Sequence, residues 1–277
     1  MVFIREKTKK ELVAVIKKTG QVLLKEFKKG QQPKAVFKSR HDIVTKADLL
    51  AEKIILNTLK KLTPTWRILS EETGDNNKSN DFLWTLDPLD GTTNFYMGNP
   101  LFAVQLGLIY KNEPVWGIIY APMLDEFYYA EKGKGAYLNN KKIKVSRKNM
   151  QKALLTYCHG SKKSDINLAI KIYQHFKTRQ FDIRQLGAAS LEFAWVAKGR
   201  TEAYISPGAN LWDIAPGILL VKEAGGLVSD FKGLPWSIKS KNVLATNKFV
   251  NKPIISGLKK NINVLKNKPT KTRTEKS

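Results

Sequence analysis

The chain has 277 residues, 42% hydrophobic and 26% charged, an ordinary soluble composition with room for one large or two average domains. Eleven Pro and eighteen Gly without a period exclude a collagen-like or low-complexity chain, and the single cysteine, Cys158, excludes an intrachain disulfide framework. No stretch approaches the roughly 18 consecutive apolar residues of a membrane helix. The first thirty residues alternate Lys with apolar residues and lack a secretory core, so a cytoplasmic, unprocessed protein is expected.

In chain order, Leu12, Val15, Ile16, Val22, Leu23 and Phe27 recur at helical spacing, and so do Leu49, Leu50, Ile54, Leu56 and Leu59 within a helix predicted over Asp48–Leu62. Short strands are predicted at Trp66–Ser70 and Phe82–Asp87, with a turn at Pro88–Gly91. Antiparallel strands follow at Ala103–Tyr110, Val115–Tyr120 and Phe127–Glu131, and Asn139-Asn140 reads as a tight hairpin turn. Beyond Lys148 strand and helix alternate: Ala153–Tyr157, helix Asp165–Phe176, Phe181–Leu186, helix Ala188–Ala197, Glu202–Ile205, helix Asp213–Ala224. Gly225-Gly226 stops that helix, Leu227–Ser229 and Asn242–Thr246 are further strands, and Lys248–Lys260 is a last helix. With no linker between the halves, residues 1–265 read as one catalytic unit with subregions 1–147 and 148–265. Residues 266–277 read as a basic disordered tail.

Lys plus Arg number 48 against 24 Asp plus Glu, a formal charge of +24, which raises the question of a polyanionic partner. Only eight of the 48 are Arg, and the lysines are spread over every segment instead of forming a stripe. A compositional bias explains them as well as a binding face does. The opposite anomaly says more: residues 71 to 95 hold Glu71, Glu72, Asp75, Asp81, Asp87 and Asp90 against Lys78 alone.

Within that island, Asp87-Pro88-Leu89-Asp90-Gly91 sets two carboxylates three residues apart across a proline, directly after an apolar strand. Pro88 keeps Asp87 extended and Gly91 is free to take backbone angles closed to other residues. Asp87, Asp90 and the Leu89 carbonyl are thereby turned toward one point, where oxygen donors suit Mg2+. Glu71 and Glu72 end another predicted strand, and Asp213 opens a predicted helix behind Trp212. Carboxylates about 4 Å apart repel by roughly 4 kcal/mol at an effective dielectric near 20, so such a cluster takes up protons or cations. Taken singly, each of these residues also reads as a turn former, a helix cap or a solvated acid.

Together, Ser70-Glu71-Glu72, Asp87-Pro88-Leu89-Asp90-Gly91-Thr92 and Trp212-Asp213-Ile214-Ala215-Pro216-Gly217 followed by Glu223-Ala224-Gly225-Gly226 resemble the signature segments of the inositol monophosphatase family, from about Lys38 to Gly233. The resemblance implies an α+β fold, the layered α/β/α/β/α sandwich of the sugar phosphatases, and two or three Mg2+ ions. It implies that Glu71, Asp87 and the Leu89 carbonyl hold the first ion and that Asp87, Asp90 and Asp213 hold the second. Thr92 matches the threonine that orients the attacking water, Asp48 the carboxylate behind it, and Lys38 is a weaker match near the metals. By the same likeness the activity is hydrolysis of a small phosphate monoester by a metal-activated water, Glu71 taking part in proton removal. Lithium inhibition and a homodimer are the further family traits.

Gly91, Thr92 and Thr93 are expected to grip phosphate through their amides. Gly187, Ala189 and Ser161, next to Gly160, are expected to meet the rest of the substrate. Inositol-specific members commonly carry a glutamate seven residues before the last aspartate, where this chain has Ser206. Inositol monophosphate is the leading substrate. Fructose 1,6-bisphosphate, 3'-phosphoadenosine 5'-phosphate and histidinol phosphate are alternatives, for which Lys162, Lys163 and Lys198 are candidate contacts to a second phosphate. The rival of another class is a basic protein on the same fold that binds nucleic acid or an acidic partner. Trp84, Trp195 and Trp212 read as core, His41, His159 and His175 have no metal-site spacing, and Cys158 reads as a buried small hydrophobe.

Overall fold

The computed structural model describes residues 3–30, 35–39 and 42–266. Helix α1 (Glu6–Phe27) forms because Leu12, Val15, Ile16 and Leu23 fall on one face, where all four are buried. An antiparallel pair that the sequence did not announce follows, β1 (Ala35–Ser39) and β2 (Asp42–Thr45). Helix α2 (Lys46–Leu62) begins two residues earlier than the apolar spacing predicts because Thr45 caps it. The Thr45 hydroxyl accepts from the Ala47 amide at 3.2 Å, and the Asp48 carboxylate accepts from the Thr45 amide at 2.8 Å.

The first half then builds an eight-stranded sheet from β3 (Arg67–Ser70), β4 (Gly74–Asp75), β5 (Phe82–Asp90), β6 (Ala103–Tyr110), β7 (Glu113–Ala121), β8 (Glu126–Glu131), β9 (Gly135–Leu138) and β10 (Lys141–Lys142), with the short helix α3 (Thr92–Tyr96) after β5. Its order is β10-β9-β8-β7-β6-β5-β3-β4, antiparallel except for β3 beside β5. Asn139 and Asn140, both at positive φ, make the predicted hairpin turn between β9 and β10. The second half gives β11 (Leu154–Tyr157), α4 (Lys163–Lys177), β12 (Asp182–Arg184), α5 (Ala189–Lys198), β13 (Ala203–Pro207), α6 (Leu211–Glu223), β14 (Leu227–Ser229), β15 (Asn242–Thr246) and α7 (Asn251–Lys266). Its five-stranded sheet runs β12-β11-β13-β15-β14. Lys266 ends α7, and the rest of the predicted basic tail lies outside the described residues.

These elements stack as five layers. α1 and α2 cover one face of the large sheet, α5 and α6 lie between the two sheets, and α4 and α7 close the small sheet. The central layer comes close because β6 and β7 place Gly107 opposite Gly117. A Cβ on either glycine would meet Pro216 of α6 at about 3 Å. Apolar side chains of α5 and α6 join those of both sheets in one buried cluster, which gives the α+β sandwich.

One buried ion pair ties α1 to the sheet. Lys9 lies 2.6 Å from Glu131 of β8 and 2.8 Å from Glu6, while the Tyr129 hydroxyl donates to Glu131 at 2.9 Å. Lys9→Met is expected to lower stability by about 3 kcal/mol, because a buried carboxylate then loses its nearest cation, with turnover unchanged. Denaturant midpoints and kcat check this, and an equal midpoint would show that Lys134, 2.9 Å from the same carboxylate, compensates fully.

Candidate active site

The predicted turn at Pro88–Gly91 is a β-bulge followed by a turn. Strand β5 continues to Asp90, but Asp87 pairs with Gln105 and Asp90 with Ala103, so β5 carries one residue more than β6 between these points. In a regular strand residues three apart face opposite sides. The extra residue cancels one alternation and brings Asp87 and Asp90 to the same side. Pro88 fits there because a bulge requires no amide from it. Gly91 then turns the chain into α3 with φ of 86°.

A cleft of about 420 Å³ opens at this point, lined from the first half by Ile43, Glu71, Asp87, Leu89, Asp90 and Gly91–Thr93. The second half contributes Cys158–Ser161, Gly187, Ala189, Asn210, Trp212 and Asp213. The structure thus gathers Glu71, Asp87, Leu89, Asp90, Gly91, Thr92, Thr93, Ser161, Gly187, Ala189 and Asp213 around one cleft. Asp48 stands behind the wall, fully buried, with its Oδ1 3.1 Å from the Thr92 hydroxyl. That hydroxyl is also 2.9 Å from the Leu89 carbonyl, and its single proton serves one acceptor at a time.

Two expectations need correction or restriction. Ser206 does not line the cleft: it is buried within β13, opposite Val243, and its short side chain meets the Tyr204 hydroxyl. The Gly91 amide is turned toward the Asp90 carboxylate, which leaves Thr92 and Thr93 as the amides at the start of α3. Lys38 belongs to β1, and its side chain, like the whole of His41, lies outside the described residues. Lys162, Lys163 and Lys198 are exposed and are not among the residues that line the cleft.

Several participants were not predicted. Buried Gln105 donates to Asp87 at 3.3 Å and to the Asp213 carbonyl at 3.1 Å. The Asn210 amide donates to Asp213 at 3.1 Å, and the Nδ1 of His159 lies 3.0 Å from the Gly160 carbonyl. Asp90 accepts from the amides of Ala189 at 3.1 Å and Ser190 at 2.7 Å, and from the Ser190 hydroxyl. Asn210, three residues before Asp213, has the spacing of a capping box at the start of α6, whereas His159 carries no sequence signal of its own. Gln105, by contrast, is the one hydrogen-bonding side chain between Ala103 and Ile109, an interruption that marks it.

The electrostatics are those of crowded, buried acids. Burial, followed by the charge of Asp213, raises Glu71 to about 8. Burial and then the charge of Glu71 push Asp87 far above the ordinary carboxylate range. Burial raises Asp90 to about 6 and Asp213 to about 7, the latter with help from Asp90. No Lys or Arg lines the cleft among the described residues, although the chain carries +24. Nor, among those residues, are three acidic, His or Cys side chains gathered closely enough to enclose an ion unaided. Mg2+ keeps several waters and is ordinarily taken by one or two carboxylates together with substrate oxygens. The all-oxygen donor set and its unneutralised charge therefore fit that ion.

The inositol monophosphatase family profile matches residues 5–263. "Nus factor SuhB" of Xylella fastidiosa is 38% identical over 224 residues, 80% of this chain and 81% of that protein. "Inositol-1-monophosphatase" of Mesorhizobium japonicum is 34% identical over 253 residues, covering 90% and 95%. The solved structure of a Thermotoga maritima IMPase superposes with a TM-score of 0.83 at 30% identity, covering 94% of this chain and all of that one. With its layered fold and acidic cleft, the chain belongs to the inositol monophosphatase family and is a phosphoric monoester hydrolase.

Proposed function

We propose that this chain hydrolyses the monophosphate of a small uncharged polyol, inositol monophosphate first among them, with Mg2+ held by Glu71, Asp87, the Leu89 carbonyl, Asp90 and Asp213. The observation that carries the substrate class is the lining of the cleft: acidic at one end, and at the other His159, Ser161, Asn210 and backbone of Gly187 and Ala189, with no Lys or Arg among the described residues. Among the described residues a second phosphate would find no cation there. Residues 1–147 supply Glu71, Asp87 and Asp90, and residues 148–265 supply Asp213 and the rest of the lining, so the two subregions act as one catalytic unit.

When bound, Mg2+ supplies charge neutralisation at phosphorus and a lowered pKa for water. The chain's own groups do the rest. Were the Leu89 carbonyl to help hold the ion, the Thr92 hydroxyl would donate to Asp48 alone and keep a lone pair to hold and orient the attacking water. Burial raises Asp48 to about 6, which suits it to receive a proton through Thr92, with Glu71 on the other side as a second acceptor. The Thr92 and Thr93 amides, without partners inside the first turn of α3, bind phosphate oxygens. Lithium competition for the ion sites and a homodimer in the cytoplasm complete the proposal. No helix among the described residues is long and apolar enough to cross a membrane.

Phosphate release from inositol 1-phosphate, fructose 1,6-bisphosphate, 3'-phosphoadenosine 5'-phosphate and histidinol phosphate, with Mg2+ and with Mg2+ plus lithium, tests this reading. Inositol 1-phosphate is expected to exceed both bisphosphates in kcat/KM by at least about tenfold. A bisphosphate in first place would sink the substrate assignment, and no release from any would sink the activity. A second reading, a basic binding protein on the same fold, draws on the +24 charge and on the name Nus factor borne by the Xylella relative. It requires nucleic-acid binding that falls steeply with salt and survives loss of the acidic centre.

A further inference from the structure

Between β12 and α5 the backbone runs irregularly through Gly187, which lines the cleft just before α5 opens at Ala189, and belongs to no strand ladder. Side chains from two directions hold it. Glu192 of α5, wholly buried, accepts through Oε1 from the Leu186 amide at 3.0 Å and from the Gly187 amide at 3.2 Å. From the other side Asn94 of α3 donates to the Leu186 carbonyl at 2.8 Å and to the Leu101 carbonyl at 2.8 Å. Immediately beyond, the Ala189 and Ser190 amides are bound by Asp90.

Glu192 is the one ionisable side chain between Ala188 and Ala197. Its second oxygen has no hydrogen-bond partner, and burial raises its pKa well above the ordinary range. A carboxyl in such surroundings costs stability; beside the Thr156 hydroxyl of β11, the groups that offset this cost are two amides of the cleft wall. We propose that Glu192 is a positioning residue for the substrate, which together with Asn94 fixes Leu186 and Gly187 so that the cleft-lining backbone meets the substrate body in a constant place relative to Asp90. The kinetic part of this proposal rests on the phosphatase reading; the structural part does not.

The test compares Glu192→Gln, Glu192→Leu and Asn94→Ala with the unaltered protein. KM and kcat are measured on inositol 1-phosphate at saturating Mg2+, and hydrogen exchange is followed at the Leu186 and Gly187 amides. Glu192→Leu is expected to raise KM about tenfold, leave kcat within about threefold, and speed exchange at both amides at least about tenfold. Glu192→Gln keeps an oxygen that accepts both bonds and is expected to restore KM and protection. Asn94→Ala, at a half-buried position, is expected to raise KM by about threefold and carries the test should Glu192→Leu fail to fold. A fall in kcat at constant KM, or unchanged KM and unchanged exchange in both Glu192→Leu and Asn94→Ala, would overturn the proposal. Should the unaltered protein release no phosphate, the phosphatase reading fails by itself and exchange alone decides whether Glu192 holds the loop.

Discussion

Replacing Asp87 with Asn is expected to lower kcat by at least about a thousandfold at saturating Mg2+, yet to raise the thermal midpoint of the metal-free protein. The two effects have one origin. Asp87 sits at the centre of the acidic cleft, fully buried, and burial together with Glu71, Asp90 and Asp213 opposes its ionisation. Carboxyl groups whose folded pKa values lie above their unfolded ones contribute stability that is complete below about pH 4. That stability is lost as the pH rises through the folded values, here about 6 for Asp90, about 7 for Asp213 and about 8 for Glu71. The metal-free midpoint of the unaltered protein should therefore fall from pH 5 to pH 8, and fall less in Asp87→Asn. Bound Mg2+ takes the place of those protons, so at pH 8 it should stabilise the unaltered protein by about 2.7 kcal/mol at a hundredfold excess over Kd, and the variant far less. Calorimetry with EDTA and with Mg2+, beside kcat, measures all of this. Undiminished turnover in the variant would remove Asp87 from the reaction.

The contrast between what was legible and what was not follows from the range of each interaction. α1 declares itself because its burial follows the helical period, the strands from Ala103 to Glu131 because they are apolar, aromatic-rich runs bounded by turn residues and buried on both faces in β6 and β7, and the Asn139-Asn140 turn because two residues must adopt positive φ. The two carboxylates of Asp87-Pro88-Leu89-Asp90 were legible as a pair, but the device that aligns them was not. A bulge is a relation between β5 and β6, and nothing within residues 82–90 states which residue of Ala103–Tyr110 each will face. The same holds for Ser206. Its spacing from Asp213 placed it at the substrate, whereas its burial within β13 and its short side chain keep it from the cleft. Asn210 is the N-cap of α6, paired with Asp213 three residues on in a capping box, and the turn into α6 brings it into the wall of the cleft. The sequence of α2 misplaced its own start for a local reason, since the cap at Thr45 is polar and lies outside the apolar stripe. That cap is also what fixes Asp48, so one local hydrogen-bond pattern both begins a helix and sets the proposed proton acceptor behind Thr92.

Gly91 is where these long-range relations meet, and Gly91→Ala is the second change of large effect. The position has φ of 86°, and an added Cβ would stand 2.7 Å from the Leu101 carbonyl oxygen and 3.2 Å from the Ala188 Cβ. Backbone strain alone costs an alanine about 1 kcal/mol in this region, and the close contact with main-chain oxygen cannot be relieved by turning a side chain. The chain on either side must move, and its neighbours are Asp90 and Thr92. Stability is expected to fall by about 2 to 4 kcal/mol and kcat by at least about a hundredfold, since displacements near 1 Å at reacting groups have that effect. Gly98→Ala separates the two causes. Gly98 has φ of 77° with open space where its Cβ would lie, so it should cost about 1 kcal/mol and leave kcat unchanged. Equal effects of the two substitutions on kcat would mean that backbone strain, and not the approach of Leu101 and Ala188, is what Gly91 relieves. Loss of kcat at Gly91 alone would show that the acidic end of the cleft and the start of α5 are held in register through the contact that only a glycine permits.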